Sequence, residues 1–249
     1  MVKGEDWYLS RYNEYLRHRD KLAERDVLVT ILSTGPRVRG WSWSASATGH
    51  CGRQRQFTFL GMPTRRPDDK TLNIFANGDY MHLRHQAFGM VAGYITATEV
   101  PVELGKYNLR GTMDGMLATG EGLELKSINS HGFSSVVTYG ARNDHVRQMH
   151  AYMLAAGLEA FRIVYENKET QQLKEIFVPR DEKLIKSVIL ELEELNDMTE
   201  ATTLLPMLQE CRNGEGRFRT CEFRKICEEA TWPSESRRLI LVTSSSDDG

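Results

Sequence analysis

No stretch of this sequence approaches the roughly 18 consecutive apolar residues of a membrane-spanning helix. The opening MVKGEDWYLSRYNEYLRHRDKLAERD is charged where a secretory signal would be apolar. The chain is therefore expected in the cytoplasm, with no membrane partner. A basic excess is missing too: 32 Lys and Arg stand against 34 Asp and Glu, a formal charge of -2. No global field advertises a nucleic acid, and any polyanion site must be local. There is no P-loop, so unwinding of a duplex would fall to a partner, and no internal repeat is visible. Cysteine is scarce: Cys51 stands near the front, and Cys211, Cys221 and Cys227 near the end. In a reducing compartment such a set points to metal binding rather than disulfides. What remains is 249 residues with 40% hydrophobic content, enough to bury a core and support an enzyme.

The apolar periodicity gives the organisation. Residues 6–25 read as one helix, with Trp7, Tyr8, Tyr12, Tyr15 and Leu16 on its packing stripe. The segment GWSWSASATGHCGRQRQFTFLG leads into a helix carrying Cys51, Arg53, Arg55 and Phe57. A further helix over TLNIFANGDYMHLRHQAFGMVAGY puts His82 and His85 three apart, on one face. From residue 95 the period shifts toward two. ITATEVPVEL, YNLRGTMDGML and GLELKSI read as strands, followed by the helix ARNDHVRQMHAYMLAAGLE and the strands AFRIVYEN and QLKEIFVP. A helix spans 181 to about 210, either covering the core or forming a subunit contact, and a Ser/Asp-rich tail ends the chain. This order predicts an α/β fold, a central mixed β-sheet flanked by helices. The expected division is a helical segment over 1–41, a main domain over 42–230 and a tail over 231–249.

Chemistry concentrates on the second and third strands. If the turn between them is the three residues Gly120, Glu121 and Gly122, then Asp114, Glu124 and Lys126 share one sheet face; a two-residue turn would separate them. Two converging carboxylates resist joint ionisation unless a cation sits between them, and oxygen ligands suit Mg²⁺ or Mn²⁺. The lysine can hold a water and offset phosphate charge. His82 could add an imidazole ligand. Gln148 and Tyr152, four apart, can both point toward the sheet edge and bond a phosphate or base. The bland alternative is a polar sheet face with solvated ion partners and packed His and Tyr residues.

Together, Gly78 and His82 in GDYMH, Asp114 in GTMDG, Glu124 and Lys126 in ELK, and Gln148 and Tyr152 in QMHAY resemble the PD-(D/E)xK nuclease superfamily, RecB-like branch. With the cysteines added, the chain resembles the iron–sulfur nucleases of that branch: the CRISPR-associated type-four exonucleases, their phage-encoded relatives and the AddB-type subunits. The resemblance implies a restriction-endonuclease-like core whose terminal regions are pinned by a 4Fe-4S cluster on Cys51, Cys211, Cys221 and Cys227. It implies one divalent ion, or two when DNA is present, on His82, Asp114, Glu124 and the Leu125 carbonyl, with Lys126 positioning the water. It implies exonuclease action on single-stranded DNA, 5′ to 3′, in a bacterial or phage-infected cell, with a helicase, integrase or recombinase as partner and an oligomer as an option. The family spacing C-x2-C-x5-C is not kept, since Phe218 stands where a cysteine would fall and Cys211 lies farther upstream. A four-cysteine zinc site and unliganded structural cysteines stay open.

Local charge for DNA is read in Arg53, Arg55, Arg142, Arg147, Arg217, Arg219, Arg224 and Lys225, with Phe57, Phe218 and Phe223 as base-stacking platforms. Their alternative is solvated arginines over packed rings. Two other functions stay open: a DNA-binding or recombination adaptor with a weak metal site, and an endonuclease or nickase on the same core.

Overall fold

The structure is a computed structural model that describes residues 6–32, 41–62, 64, 66–214 and 221–227. The tail over 231–249 and Arg217, Phe218 and Arg219 lie outside the described residues.

The chain begins with two helices, α1 (Trp7–Arg17) and α2 (Lys21–Leu32), where the periodicity predicts one. The break has a local cause. The Asp20 carboxylate accepts the Leu22 and Ala23 amides at 3.1 and 3.0 Å, which starts a new helix where the first would have continued. Strand β1 (Trp43–Ser44), α3 (Gly52–Phe59) and α4 (Asp69–Val91) follow. The strands β2 (Ile95–Leu104), β3 (Leu109–Leu117) and β4 (Gly122–Ile128) form as their alternation predicts. Helix α5 (Ser130–Tyr139), which the sequence reading left out, is capped by Asn129, whose side chain accepts the Gly132 amide at 2.8 Å. Its Ser, Gly, Thr and Val content is poor helix composition, so the cap and the burial of Phe133 and Val136 supply what propensity does not. Then come α6 (Asn143–Ala156), β5 (Ala160–Asn167), β6 (Leu173–Pro179) and α7 (Glu182–Glu200). The last of these stops ten residues short of the expected end. Short helices α8 (Gln209–Arg212) and α9 (Arg224–Cys227) carry the late cysteines.

The sheet is mixed, in the order β1-β3-β4-β5-β6, with β2 paired to β3. Because β2 runs along β3 from Leu109 to Leu117, β1 and β4 must share the other side of β3. β1 takes Leu109 and Arg110, and β4 takes Gly115 and Met116. Residues 111–114 are left facing a fork in the sheet. One sheet face packs on α1 and α4 through Tyr8, Tyr12, Phe88, Leu123, Leu125 and Val164. The other packs on α5, α6 and α7 through Phe133, Met149, Phe161, Ile163, Val188 and Leu192. Helix α7 therefore covers the core, through Ile185, Val188, Leu192 and Leu195. Helix α1 is tied down by β6: the buried Glu175 carboxylate accepts the Tyr8 and Leu9 amides at 3.1 and 3.0 Å and pairs with buried Arg162 at 2.5 Å. Among the described residues no helix is long and apolar enough to cross a membrane.

Candidate active site

The fork exists because of Asp114. Opposite it on β2, between the pairs Thr98 to Gly115 and Val100 to Met113, Glu99 has a φ of 50°, a left-handed conformation that costs a non-glycine residue energy. Gln86 from α4 holds this kink, donating to Glu99 Oε1 at 2.8 Å and to the Asp114 carbonyl at 2.9 Å. The Asp114 carboxylate then takes the place of a ladder partner: its Oδ2 accepts the Leu125 amide at 2.7 Å. The turn from β3 to β4 has three residues, but they are 118–120 and not 120–122. The Leu117 amide donates to the Glu121 carbonyl, Gly120 takes a φ of 91°, and Gly122 pairs with Met116. The parity argued from sequence is preserved, and the position of the turn is corrected by two residues.

Around the fork the predicted side chains come together. His82 Nδ1 lies 3.3 Å from Asp114 Oδ1. Glu124 Oε1 meets Lys126 Nζ at 2.5 Å and accepts from Gln148 Nε2 at 2.9 Å. Lys126 Nζ also donates to Gln148 Oε1 at 3.1 Å. Gln148 Nε2 donates further to the Tyr152 hydroxyl, which donates to the Thr112 carbonyl at 2.9 Å. Tyr152 can lie across β3 only because residue 111 is glycine; a Cβ there would stand 2.6 Å from its ring. Gly78, one turn before His82, has open space where a side chain would be.

Burial, followed by the nearby Asp114 charge, pushes Glu124 up to about 7, and Lys126 and His82 offset this only in part. Burial would lower His82, but the Asp114 carboxylate outweighs it and raises the imidazole. Glu124 Oε2 is buried with no donor among the described residues. A deeply buried carboxylate oxygen without a donor, beside a second carboxylate, fits a hard divalent cation. No three His, Cys, Asp or Glu side chains among the described residues stand at ligand spacing. An ion here would draw on the two carboxylates and complete its shell with backbone oxygen and water, as Mg²⁺ sites commonly do.

Other predicted residues do not join this centre. His85 shares α4 with His82 but turns into the core. Arg55 is 3% exposed and paired with Glu191, so it faces inward and not toward a DNA path. Arg147 shares Glu191 at 2.6 Å, and Glu191 also accepts the Gly49 amide at 3.0 Å. Arg53 donates to the Leu205 and Cys227 carbonyls at 3.1 and 2.8 Å, fastening the C-terminal segment to α3. Arg142 pairs with Asp144 on the surface. Phe57 and Phe223 are buried against each other, ring centroids 5.3 Å apart, which removes them as base-stacking platforms. Three residues the sequence reading missed are Gln86, Glu99 and His145. Gln86 follows His82 by four and His145 precedes Gln148 by three, spacings that put each on a site-facing helical stripe.

The thiols gather at the start of α3. The pKa of Cys211 is raised by burial and then by Cys51, Glu210, Cys227 and Cys221, so the four sulfurs sense one another, and all are free thiols. The four thiols, of which Cys221 and Cys227 pack with the apolar Phe57 and Phe223, fit a soft metal group in kind and number, while their spacing is not that of a closed metal site.

No protein-family model matches the chain, and no curated protein matches it. Among solved structures it is similar to the alkaline exonuclease LHK-Exo in complex with dAMP, at 18% identity and a TM-score of 0.53, over 65% of this chain and 89% of that one. LHK-Exo from Laribacter hongkongensis also matches at 16% identity and a TM-score of 0.49, over 65% and 89%. A protein named SSO0001 matches at 17% and 0.48, over 82% and 96%. The likeness to the dAMP complex is one of fold.

Proposed function

We propose that this chain is a metal-dependent DNA exonuclease of the PD-(D/E)xK superfamily, RecB-like branch, working on single-stranded ends in the 5′ to 3′ direction. The observation that carries the reading is the fork in the sheet, where buried Asp114 and Glu124 converge with Lys126 and leave one carboxylate oxygen without a donor. A fold shared with an alkaline exonuclease supports it. A divalent ion, Mg²⁺ or Mn²⁺, would be held by Asp114, Glu124 and the Leu125 carbonyl, with His82 orienting Asp114 at 3.3 Å, and when bound would supply Lewis acidity toward the scissile phosphate. Lys126 positions the attacking water and offsets phosphate charge. Gln148 fixes both the lysine and Glu124, and Tyr152 fixes Gln148. Cys51, Cys211, Cys221 and Cys227 would hold a structural metal group, a 4Fe-4S cluster or zinc, that joins the C-terminal segment to α3. Unwinding, where needed, falls to a helicase or recombinase partner.

The test is digestion of an oligonucleotide labelled separately at each end, with Mn²⁺, with Mg²⁺ and with chelator, and Lys126→Ala beside the wild type. Stepwise metal-dependent loss from the 5′ end is expected, reduced at least about 100-fold in the variant while oligonucleotide binding persists. Wild-type protein that binds the oligonucleotide and cuts with neither metal would make the chain a binding adaptor. Internal cuts would make it an endonuclease.

A further inference from the structure

On α6, three residues before Gln148 and on the same stripe, lies His145, a half-buried imidazole that the reading above leaves unused. Its Nδ1 stands 2.8 Å from the hydroxyl of Tyr165, a fully buried residue of β5 whose Cα partner across the ladder is Lys126. The same hydroxyl accepts the Arg142 amide at 3.3 Å. Its own proton needs an acceptor, and among the described residues His145 Nδ1 is the one within reach. The phenol therefore donates to Nδ1, and the ring carries its hydrogen on Nε2. Nε2 makes no hydrogen bond to the protein among the described residues, on a side chain that is neither buried nor fully open.

The surroundings favour an anion at that position. The charges that act on His145 come from Lys126 on β4, Arg142 and Asp144 at the start of α6, and His50 in the segment before α3. One acid stands against two permanent cations and a second imidazole. Burial, and then Lys126, hold His145 down at about 4, so the ring is neutral at physiological pH and offers a fixed donor without an added charge to desolvate.

We propose that His145 is a further substrate-contacting residue, its Nε2–H donating to an oxygen of the phosphate that Lys126 attends. The inference rests on the nuclease reading and adds a second, uncharged donor to its phosphate subsite. A packed histidine with no role beyond its bond to Tyr165 would give the same resting geometry, and a pair of substitutions separates the two. In His145→Asn the side-chain amide sits at the Nδ1 position and keeps the Tyr165 partner, but nothing reaches the Nε2 position. In His145→Gln the amide nitrogen reaches the Nε2 position.

Single-turnover cutting of a single-stranded oligonucleotide with Mn²⁺, KM and thermal midpoint are measured on the full chain for wild type and both variants. The expected result is a cutting rate for the Asn variant lower by about 10- to 100-fold, with KM and midpoint unchanged, and recovery of most of the rate in the Gln variant. An Asn variant that cuts within twofold of wild type would overturn the inference and leave the nuclease reading standing. So would a rate loss shared by both variants that follows a lowered midpoint, which would make the residue structural. A wild type that cuts with neither metal defeats the nuclease reading itself, and is seen before any variant is compared.

Discussion

His85→Phe tests how the N-terminal helix supports the site. His85 is fully buried on α4, one turn beyond His82. Its Nε2 stands 2.9 Å from Glu166 Oε2, and because a carboxylate only accepts, Nε2 carries the hydrogen. Nδ1 therefore accepts from the Tyr8 hydroxyl, also at 2.9 Å, and the Tyr12 ring stacks on the imidazole with centroids 4.7 Å apart. Phenylalanine keeps the ring and its packing but leaves the buried Tyr8 hydroxyl without this acceptor and Glu166 with Arg84 in place of two donors. An orphaned hydroxyl costs ~1–3 kcal/mol and a lost charge-assisted bond ~1.5–3 kcal/mol, so about 3 kcal/mol is expected at pH 8. At ~2–4 °C per kcal/mol for a chain of this size, the midpoint falls by ~6–12 °C. The pH dependence is the sharper signature. Burial lowers His85 below its ordinary value, with Glu166 opposing in part. The unfolded chain therefore binds a proton below pH ~6.5 that the folded chain refuses. The stabilising share is complete above that pH and is lost as pH falls toward the folded value. His82 and His145 titrate in both proteins and cancel in the difference. Denaturation in chelator at pH 8 and 5.5 should show the gap between wild type and variant narrowing at the lower pH. A gap that does not change with pH, or a variant as stable as wild type at pH 8, would refute the reasoning.

Two further outcomes follow from the clamp on α7 and from the thiols. Glu191→Gln removes the one anion shared by buried Arg55 and half-buried Arg147, and thermal denaturation should show a loss of about 3–5 kcal/mol, the cost of leaving a buried guanidinium uncompensated; a loss below about 1 kcal/mol would show that water reaches Arg55. Anaerobically purified protein should contain iron and acid-labile sulfide, both lost in Cys51→Ser; zinc without sulfide would replace the cluster by a zinc site, and neither metal would reject both.

Much of the fold is legible because its strands obey a simple period. ITATEVPVEL is β2 from Ile95 to Leu104, and GLELKSI is β4 from Gly122 to Ile128, since alternation and flanking turn residues coincide there. Helix α5 was not legible, because SHGFSSVVTY has the composition of a loop or strand and is made helical by the Asn129 cap and by burial. The arginines and phenylalanines of the first and last segments misled for a related reason. Sequence gives their charge and ring character but not their partners, and Arg55, Phe57 and Phe223 spend theirs inside the protein.

The site residues were legible in order, while their aim was not. A period-two argument can decide whether Asp114 and Glu124 share parity, and the odd turn meets that condition. It cannot foresee that the β3 to β4 pairing is confined to Gly115 and Met116, or that Glu99 adopts a left-handed φ across from Asp114. Those two departures do the positioning. With a continuous ladder, the Leu125 amide would bond a carbonyl of β3 and the Asp114 side chain would stand off the sheet. With the ladder interrupted, the carboxylate itself satisfies the amide at 2.7 Å and is drawn into the plane of the fork, close enough to add to the effect of burial in raising the Glu124 pKa. The loss of ladder bonds and the strain at Glu99 are thus the structural cost of bringing two carboxylates into mutual range. A sheet serving only as scaffold would have no reason to bear it, and the metal-dependent cutting test above asks whether the cost has a purpose.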